Sequence, residues 1–211
     1  MKKTNIIIIA VILISFAIAL YLYPSMPEQM ASHWNSKGEV DGFMSKFWGL
    51  FLMPIVTLGM YFLFIFLPKI DPLKKNIEKF RKYYDALILL IILFMFYTYI
   101  LTLLWNLGYR FGMTQAISPA MAILFFFIGF IMNKLERNWF VGIRTPWTLS
   151  SDIVWKKTHE LGGKLFMFAG ILAFLGAFFP DYAIWLILVP ILAVTLFIIV
   201  YSYFEYRRVK K

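Results

Sequence analysis

The stretch NIIIIAVILISFAIALYLY, residues 5–23, decides the fold class, because it contains no charged side chain. A hydrocarbon core about 30 Å thick is crossed by roughly 20 apolar residues of α-helix, so this stretch predicts a membrane-spanning helix. A cleaved signal peptide is the alternative. However, the run exceeds the usual apolar core of about 7–15 residues, and no small-residue cleavage motif follows in YLYPSMPEQ. We therefore predict a retained first helix.

The composition of the whole chain also indicates a membrane protein. Of 211 residues, 62% are hydrophobic and 15% are charged, whereas soluble domains have about 25% charged residues. Five more apolar segments follow the first, at residues 47–67, 86–107, 117–132, 165–179 and 184–204. The segment 165–179 is short and needs a snorkelling Lys164 to cross the bilayer; its alternative is a helix packed inside the bundle. The prediction is an all-α integral membrane protein with six transmembrane helices.

The distribution of Lys and Arg predicts the orientation of these helices. With a cytoplasmic N-terminus, 18 of the 21 Lys and Arg residues are cytoplasmic: two near the N-terminus, six in residues 68–85, six in residues 134–164 and four in the tail. Lys37, Lys46 and Arg110 remain outside. Since positive residues concentrate in cytoplasmic loops, the chain is predicted to be N-in and C-in, in a prokaryotic plasma membrane. The net charge of +10 then suits anionic lipid headgroups, and no direct nucleic-acid binding is predicted.

Two units are predicted from this arrangement. Residues 1–85 form a two-helix unit with an extracytoplasmic loop at 24–46, and residues 86–211 form a four-helix unit with a cytoplasmic interfacial segment at 134–164. The cytoplasmic loop between helices two and three repeats apolar residues at helical spacing among lysines, which predicts a lipid-facing amphipathic helix. The repeated residues are Leu73, Ile77, Phe80 and Tyr84.

The extracytoplasmic loop PSMPEQMASHWNSKGEVDGFMSK offers the side chains of a metal site, but their spacing matches no ligand signature. These side chains are Glu28, His33, Glu39 and Asp41. We interpret the loop as a hydrogen-bonded folded cap with turns at Gly38 and Gly42. No metal or cofactor is predicted. The chain also has no cysteine, which excludes disulfides and zinc–thiolate sites.

The stretch RNWFVGIRTPWTLSSDIVWKKTHELGG, residues 137–163, is the longest polar stretch of the second half. In its first part, Trp139, Val141 and Ile143 alternate with Phe140, Gly142 and Arg144. This aromatic and basic segment is predicted to lie extended on the membrane, up to a break at Pro146. Thr148 or Ser150 can cap a helix that begins near Asp152 and ends near Leu161.

The glycines Gly162 and Gly163 are predicted to break or kink this helix. Trp155 and His159 then share one helix face. Three interpretations of the stretch stay open: an interfacial strap, a partner surface, and a catalytic loop, the last weakened because His159 has no obvious nucleophile beside it.

The predicted spans carry no charged residue or histidine at their centres, which weakens a proton pump or antiporter. A polar path would have to use Ser15, Thr57, Thr98, Thr102, Asn106 and Thr195. Ala169, Ala173 and Ala177 recur every four residues, a pattern that lets helices approach closely.

Two motifs resemble a known family. The stretch NWFVGIRTPWTLSSDIVWKKTHELGGKLF, residues 138–166, resembles the hallmark of the SdpI family, the immunity proteins against a secreted sporulation-delaying peptide toxin. The stretch MPEQMASHWNSKGEVDGFMSK, residues 26–46, resembles a short domain of unknown function often found ahead of it. The resemblance marks candidate binding positions in both motifs without assigning their roles: Asn138, Arg144, Thr145, Pro146, Trp147, Trp155, His159, Gly162 and Gly163, and His33, Trp34, Asn35, Gly38, Asp41 and Gly42.

The resemblance implies a non-enzymatic membrane immunity or receptor protein. Its partners would be the lipid bilayer, an extracellular peptide toxin, and a cytoplasmic transcriptional repressor held at the membrane. A small transporter or exporter is the alternative, and a membrane enzyme using His33 or His159 is a weaker one. Arg144 keeps its charge at any physiological pH, and its planar five-donor fork could bind a partner's carboxylate, a lipid phosphate or a backbone carbonyl within the loop.

The orientation yields a direct prediction. Reporter fusions in residues 68–85 and 134–164 should be active only as cytoplasmic reporters, and fusions in residues 24–46 only as external ones, because of the strong Lys and Arg bias. An external signal from a fusion near Lys157 would refute the N-in orientation.

Overall fold

The computed structural model describes residues 2–210, without the side chain of Lys2; Met1 and Lys211, the outer ends of the two predicted units, lie outside this range. The first half contains helix α1, a β-hairpin, helix α2, the short helix α3 and helix α4. The second half contains helix α5, the short helix α6, and helices α7 and α8. Their bounds are α1 Lys2–Leu22, β1 Gln29–Trp34, β2 Val40–Ser45, α2 Lys46–Ile70, α3 Lys74–Lys79, α4 Arg81–Asn106, α5 Met113–Met132, α6 Pro146–Leu149, α7 Asp152–Leu175 and α8 Ala183–Val209.

Five helices of the described chain are long and apolar enough to cross a membrane, namely α1, α2, α4, α5 and α8. They correspond to five of the six predicted spans. The fifth predicted span, residues 165–179, is the second half of α7, whose first half is polar. Helix α7 as a whole falls outside the set of candidate spans.

Helix α7 runs without interruption through Gly162 and Gly163, so the predicted break there is wrong. The glycines instead allow close packing between helices. A Cβ atom added to Gly163 would lie 2.7 Å from the carbonyl oxygen of Gly129 on α5, and one added to Gly170 would lie 2.9 Å from that of Ala122. A side chain at either position would separate α5 from α7. The buried Ala173 belongs to the same small-residue face.

The predicted lipid-facing helix at residues 68–85 is also wrong. Helix α3 is only six residues long, and Ile77, Phe80 and Tyr84 are buried inside the protein, in one cluster with Ile8 of α1 and Trp155 of α7. These apolar residues do lie together, as their spacing predicts, but they pack against neighbouring helices rather than lipid. The segment between α2 and α4 thereby contacts helices of both halves of the chain.

The loop between α1 and α2, which the sequence predicts to be extracytoplasmic, forms an antiparallel hairpin in which Ala31 pairs with Phe43. Its turn is at Gly38, which has a φ of +78°, as predicted. Gly42 is not a turn residue; it lies in β2 opposite His33, where a Cβ atom would come within 2.8 Å of the His33 Cβ. A side chain at Gly42 would therefore push the strands apart.

Asn106, at the end of α4, fastens this hairpin to the helices. Its side-chain oxygen accepts the Ala31 N–H at 2.8 Å, and its side-chain nitrogen donates to the Ala31 carbonyl at 3.0 Å. The Trp34 ring also packs edge-on against Trp105, with 5.5 Å between ring centroids. The side chain of Asn106 thus makes the two backbone hydrogen bonds to Ala31 that a neighbouring strand would make.

The α5–α7 contact predicts that Gly163→Ala destabilises the protein by about 1–3 kcal/mol, the usual cost of overpacking a tight contact. Gly59→Ala on α2 is the matched control, because no atom lies within 4 Å of its added Cβ. Unfolding of the purified proteins in detergent measures both. Equal stability of the two variants would show that α5 and α7 do not approach this closely.

Candidate functional site

Two cavities lie between the first-half helices α2 and α4 and the second-half helices α5 and α8. The hairpin cavity has a volume of about 470 Å³ and is bounded by β1. The motif cavity has a volume of about 660 Å³ and is bounded by the motif loop, residues 133–151, which connects α5 to α7 and contains α6. His33 and Trp34 line the hairpin cavity. Arg144, Thr145, Pro146 and Trp147 line the motif cavity, so part of each motif borders a cavity.

At the hairpin cavity, the four candidate metal ligands do not converge. His33 Nδ1 contacts Asp41 Oδ1 at 2.5 Å on the exposed surface. Glu28 pairs with Lys46 at 2.7 Å, and Glu39 accepts from the side-chain nitrogen of Asn35 at 3.0 Å. These pairs stabilise the hairpin.

Asn35 and Trp34 have different roles in this hairpin. The side-chain oxygen of Asn35 accepts the N–H groups of Lys37 and Glu39 and so shapes the turn. Trp34 lines the hairpin cavity, and its indole N–H is buried without a partner among the described residues. A buried donor without an acceptor is costly, so this N–H is available to a ligand carbonyl.

In the motif loop, Asn138 is fully buried and holds the backbone of the loop. Its side-chain oxygen accepts from the N–H groups of Phe140 and Val141, at 3.0 and 2.7 Å. Its side-chain nitrogen donates to the carbonyls of Glu136 and Val141, at 2.9 and 3.0 Å. The loop consists of successive bends in place of the predicted extended segment. A side chain that supplies both donors and acceptors is required here.

Thr145, Pro146 and Trp147 start the short helix α6. The buried Thr145 forms a reciprocal capping box with Thr148, and its hydroxyl lies 3.0 Å from that of Ser202 on α8. Pro146 occupies the first helical turn, where it needs no N–H partner. The Trp147 ring packs edge-on against Tyr203, 5.2 Å between centroids. This group fastens the loop to α8.

The N-cap of helix α7 is Ser151, one residue beyond the predicted cap Ser150. Ser151, not Thr148 or Ser150, accepts the Val154 N–H, at 3.4 Å. Thr148 is engaged in the capping box of α6, and Ser150 donates to the Trp147 carbonyl. The prediction that α7 begins at Asp152 is confirmed.

Trp155 and His159 share one face of α7, as predicted, with rings stacked 4.0 Å apart. His159 Nδ1 lies 2.8 Å from the Trp155 carbonyl, and the Ile143 N–H donates to His159 Nε2 at 2.9 Å. A carbonyl only accepts and an amide N–H only donates, so the imidazole is neutral with its proton on Nδ1. Burial lowers the pKa of His159 to about 4, against the opposing effect of the Trp155 carbonyl.

The two glycines Gly142 and Gly162 make room for this contact. Gly142 has a φ of +106°, and a Cβ there would collide with His159 Nε2. A Cβ at Gly162 would lie 2.6 Å from Ile143 Cδ1. Glycine at both positions therefore lets the loop reach the imidazole.

Asp71 and Asn76 fasten the motif loop to the first half of the chain, and sequence reasoning missed both. The buried Asp71 accepts the Trp139 N–H at 2.9 Å, and Asn76 donates to the Arg137 carbonyl at 2.8 Å. No local pattern marks either residue, since their partners lie 68 and 61 positions away.

Arg144 is the charged member of the motif, and it is exposed. It lines the motif cavity and donates one hydrogen bond, from Nη1 to the Trp139 carbonyl at 2.9 Å. Of the partners considered for Arg144, the structure therefore contains the backbone carbonyl. The remaining guanidinium N–H groups have no partner among the described residues.

The polar residues proposed for a transport path are engaged locally. Hydroxyl groups of Ser15, Thr57, Thr102 and Thr195 each donate to the carbonyl four residues earlier, and Thr98 donates to the Met95 carbonyl three residues earlier. Asn106 is bonded to the hairpin. These groups are satisfied within their helices or by β1. The hydrogen bonds that link Thr98, Thr102 and Asn106 run to backbone carbonyls of α4.

The buried imidazole predicts a pH-dependent stability. The unfolded chain protonates His159 near pH 6.5, whereas the folded chain keeps it neutral down to about pH 4. Between these pH values the unfolded state binds more protons than the folded state. The neutral imidazole therefore contributes its full stability above about pH 6.5, and this contribution is lost as the pH falls. The free energy of unfolding should then fall by about 2 kcal/mol between pH 7 and pH 5.

The control for this measurement is His159→Gln, which cannot titrate and should show a pH dependence smaller by that amount. Denaturant unfolding at several pH values measures both proteins. An identical pH dependence in both would contradict burial of a neutral imidazole.

Comparisons with known proteins match both halves of the chain. Residues 134–202 match the SdpI/YfhL protein family, and residues 10–58 match a domain of unknown function, DUF1648. The "Immunity protein SdpI" of Bacillus subtilis (strain 168) is 31% identical over 207 residues, covering 98% of this chain and 97% of that protein. No solved structure matches the chain.

The similarity extends over both cavities, since it includes the hairpin as well as the motif loop. Together with the five apolar helices, it places the chain in the plasma membrane as a multi-pass protein. The chain belongs to the SdpI/YfhL protein family.

Proposed function

We propose that this chain is a non-enzymatic immunity protein that protects its cell from a secreted, membrane-active peptide toxin. The observation that carries the proposal is its similarity to an immunity protein along 98% of its length. The proposal includes six transmembrane helices with both termini in the cytoplasm. Helix α7 then provides the remaining span, and it crosses the bilayer with its apolar second half packed against α5. In this orientation the hairpin faces outward.

The hairpin cavity is the site that we assign to the toxin. It is bounded by β1, which faces the side from which a secreted peptide arrives. Its unpaired Trp34 indole N–H suits a peptide carbonyl, because a ligand acceptor would remove the cost of the buried donor. The apolar residues around it, including Met113 and Ile187, suit the side chains of a membrane-active peptide.

The non-enzymatic part of the proposal has support from both histidines. The imidazole of His159 has both nitrogens engaged and is buried, so it has no free nitrogen for proton transfer to a substrate. His33 contacts Asp41 on the exposed surface, and among residues 3–210 no serine, threonine or tyrosine hydroxyl is bonded to its ring. Neither has the geometry of an activated nucleophile and base.

Cells with and without this chain, exposed to the toxin of the producing species, test the proposed function. We expect survival to require the chain. Ser32→Trp should reduce protection by about tenfold, because an indole in the hairpin cavity competes with the ligand for the same space. The matched control is Ser36→Trp, which places the same indole at the exposed turn of the hairpin and should protect like wild type.

Membrane abundance of both variants is measured alongside. Equal protection by Ser32→Trp and wild type at equal abundance would move the toxin contact away from the hairpin cavity. Survival that is independent of the chain would reject the immunity role itself.

The resemblance also implies a signalling role, in which a cytoplasmic repressor is held at the membrane. Trp139 on the motif loop and Ile153 at the start of α7 are 49% and 55% exposed, and we assign them to an apolar surface that suits such a partner. A transcriptional reporter for toxin-induced genes tests it. Trp139→Ala should abolish induction while protection persists; unchanged induction would reject this surface.

A further inference from the structure

We propose that the motif cavity binds an anionic phospholipid, with one acyl chain inside the cavity and the phosphate on Arg144. The cavity has a volume of about 660 Å³, within the range of small-molecule sites. Its walls are almost entirely apolar and come from Phe64, Ile91, Ile128 and Ile198 on four different helices. An apolar cavity of this size in a membrane protein suits a hydrocarbon chain.

The polar end of the ligand is specified by Arg144. Its guanidinium carries five N–H donors in a planar fork that matches a phosphate. One donor is held by the Trp139 carbonyl, which fixes the fork, and the others have no partner in the described part of the chain. Arg144 lines the same cavity as its neighbour Ile143, so charge and apolar surface are adjacent.

These two features together select an amphiphile. The guanidinium alone would accept inorganic phosphate, and the apolar walls alone would accept any lipid. The predicted cytoplasmic side, with 18 of the 21 Lys and Arg residues, is where an anionic headgroup is most stabilised. The expected ligand is therefore a phospholipid with net negative charge, such as phosphatidylglycerol.

Lipid retention by the purified full chain in a neutral detergent tests the site, with phosphatidylglycerol and phosphatidylcholine compared by native mass spectrometry. Wild type should retain phosphatidylglycerol about tenfold more strongly, from charge-assisted hydrogen bonds. Arg144→Gln should lose this preference, and Arg144→Lys should keep part of it, because a point charge does not replace the fork. Lys134→Gln is the charge-matched control: Lys134 is exposed and should leave the preference unchanged.

A second variant tests the acyl-chain part. Thr195 lines the cavity from an exposed position on α8, so Thr195→Trp should fill the space and reduce retention of both lipids without disturbing the buried core. Equal retention of the two lipids by wild type, or equal losses in Arg144→Gln and Lys134→Gln, would overturn the proposal. Displacement of the lipid by inorganic phosphate would indicate a free-phosphate site instead. The measurement uses no toxin, so its outcome does not depend on the immunity role.

Discussion

The motif loop depends on one neutral imidazole. His159 must donate to the Trp155 carbonyl from one nitrogen and accept the Ile143 N–H with the other, and only the neutral ring does both. Gly142 and Gly162 leave the space in which this happens. These motif residues are therefore a single structural unit that holds the loop against α7, and a substitution at one of them changes the environment of the others.

This unit connects to the rest of the molecule through buried hydrogen bonds. The Trp155 indole donates to the Leu135 carbonyl at 2.8 Å, and Asp71 accepts from the Trp139 N–H. The close contact between Gly129 and Gly163 sets the distance between α5 and α7. Together these contacts hold in place the loop that lines the motif cavity, so we interpret most of the motif as the scaffold of that cavity and Arg144 as its exposed chemical group.

Structural features that depend on local composition and spacing can be predicted from the sequence. Apolar runs identify α1, α2, α4, α5 and α8, and a four-residue spacing identifies the shared face of Trp155 and His159. Contacts between residues that are distant in sequence are not predicted in this way. Asn106 bonds to Ala31, 75 positions away, and the face of Ile77 and Phe80 has the same periodicity whether it meets lipid or protein.

The two glycines Gly162 and Gly163 were misread for a related reason. Glycine favours a helix break when it is considered by itself, but it is also the residue that lets two helices touch. The choice depends on Gly129, which lies more than 30 positions earlier on another helix. Local sequence does not contain that information.

Nitrogen-15 NMR of the imidazole tests the central claim most directly, in protein labelled at histidine and purified at neutral pH. For His159 we expect a neutral ring with the proton on Nδ1, unchanged when the pH is lowered to about 5.5, because the folded pKa is about 4. His33→Gln, which leaves a single labelled histidine, assigns the signal. A protonated ring at that pH, or a proton on Nε2, would contradict the arrangement on which the motif loop depends.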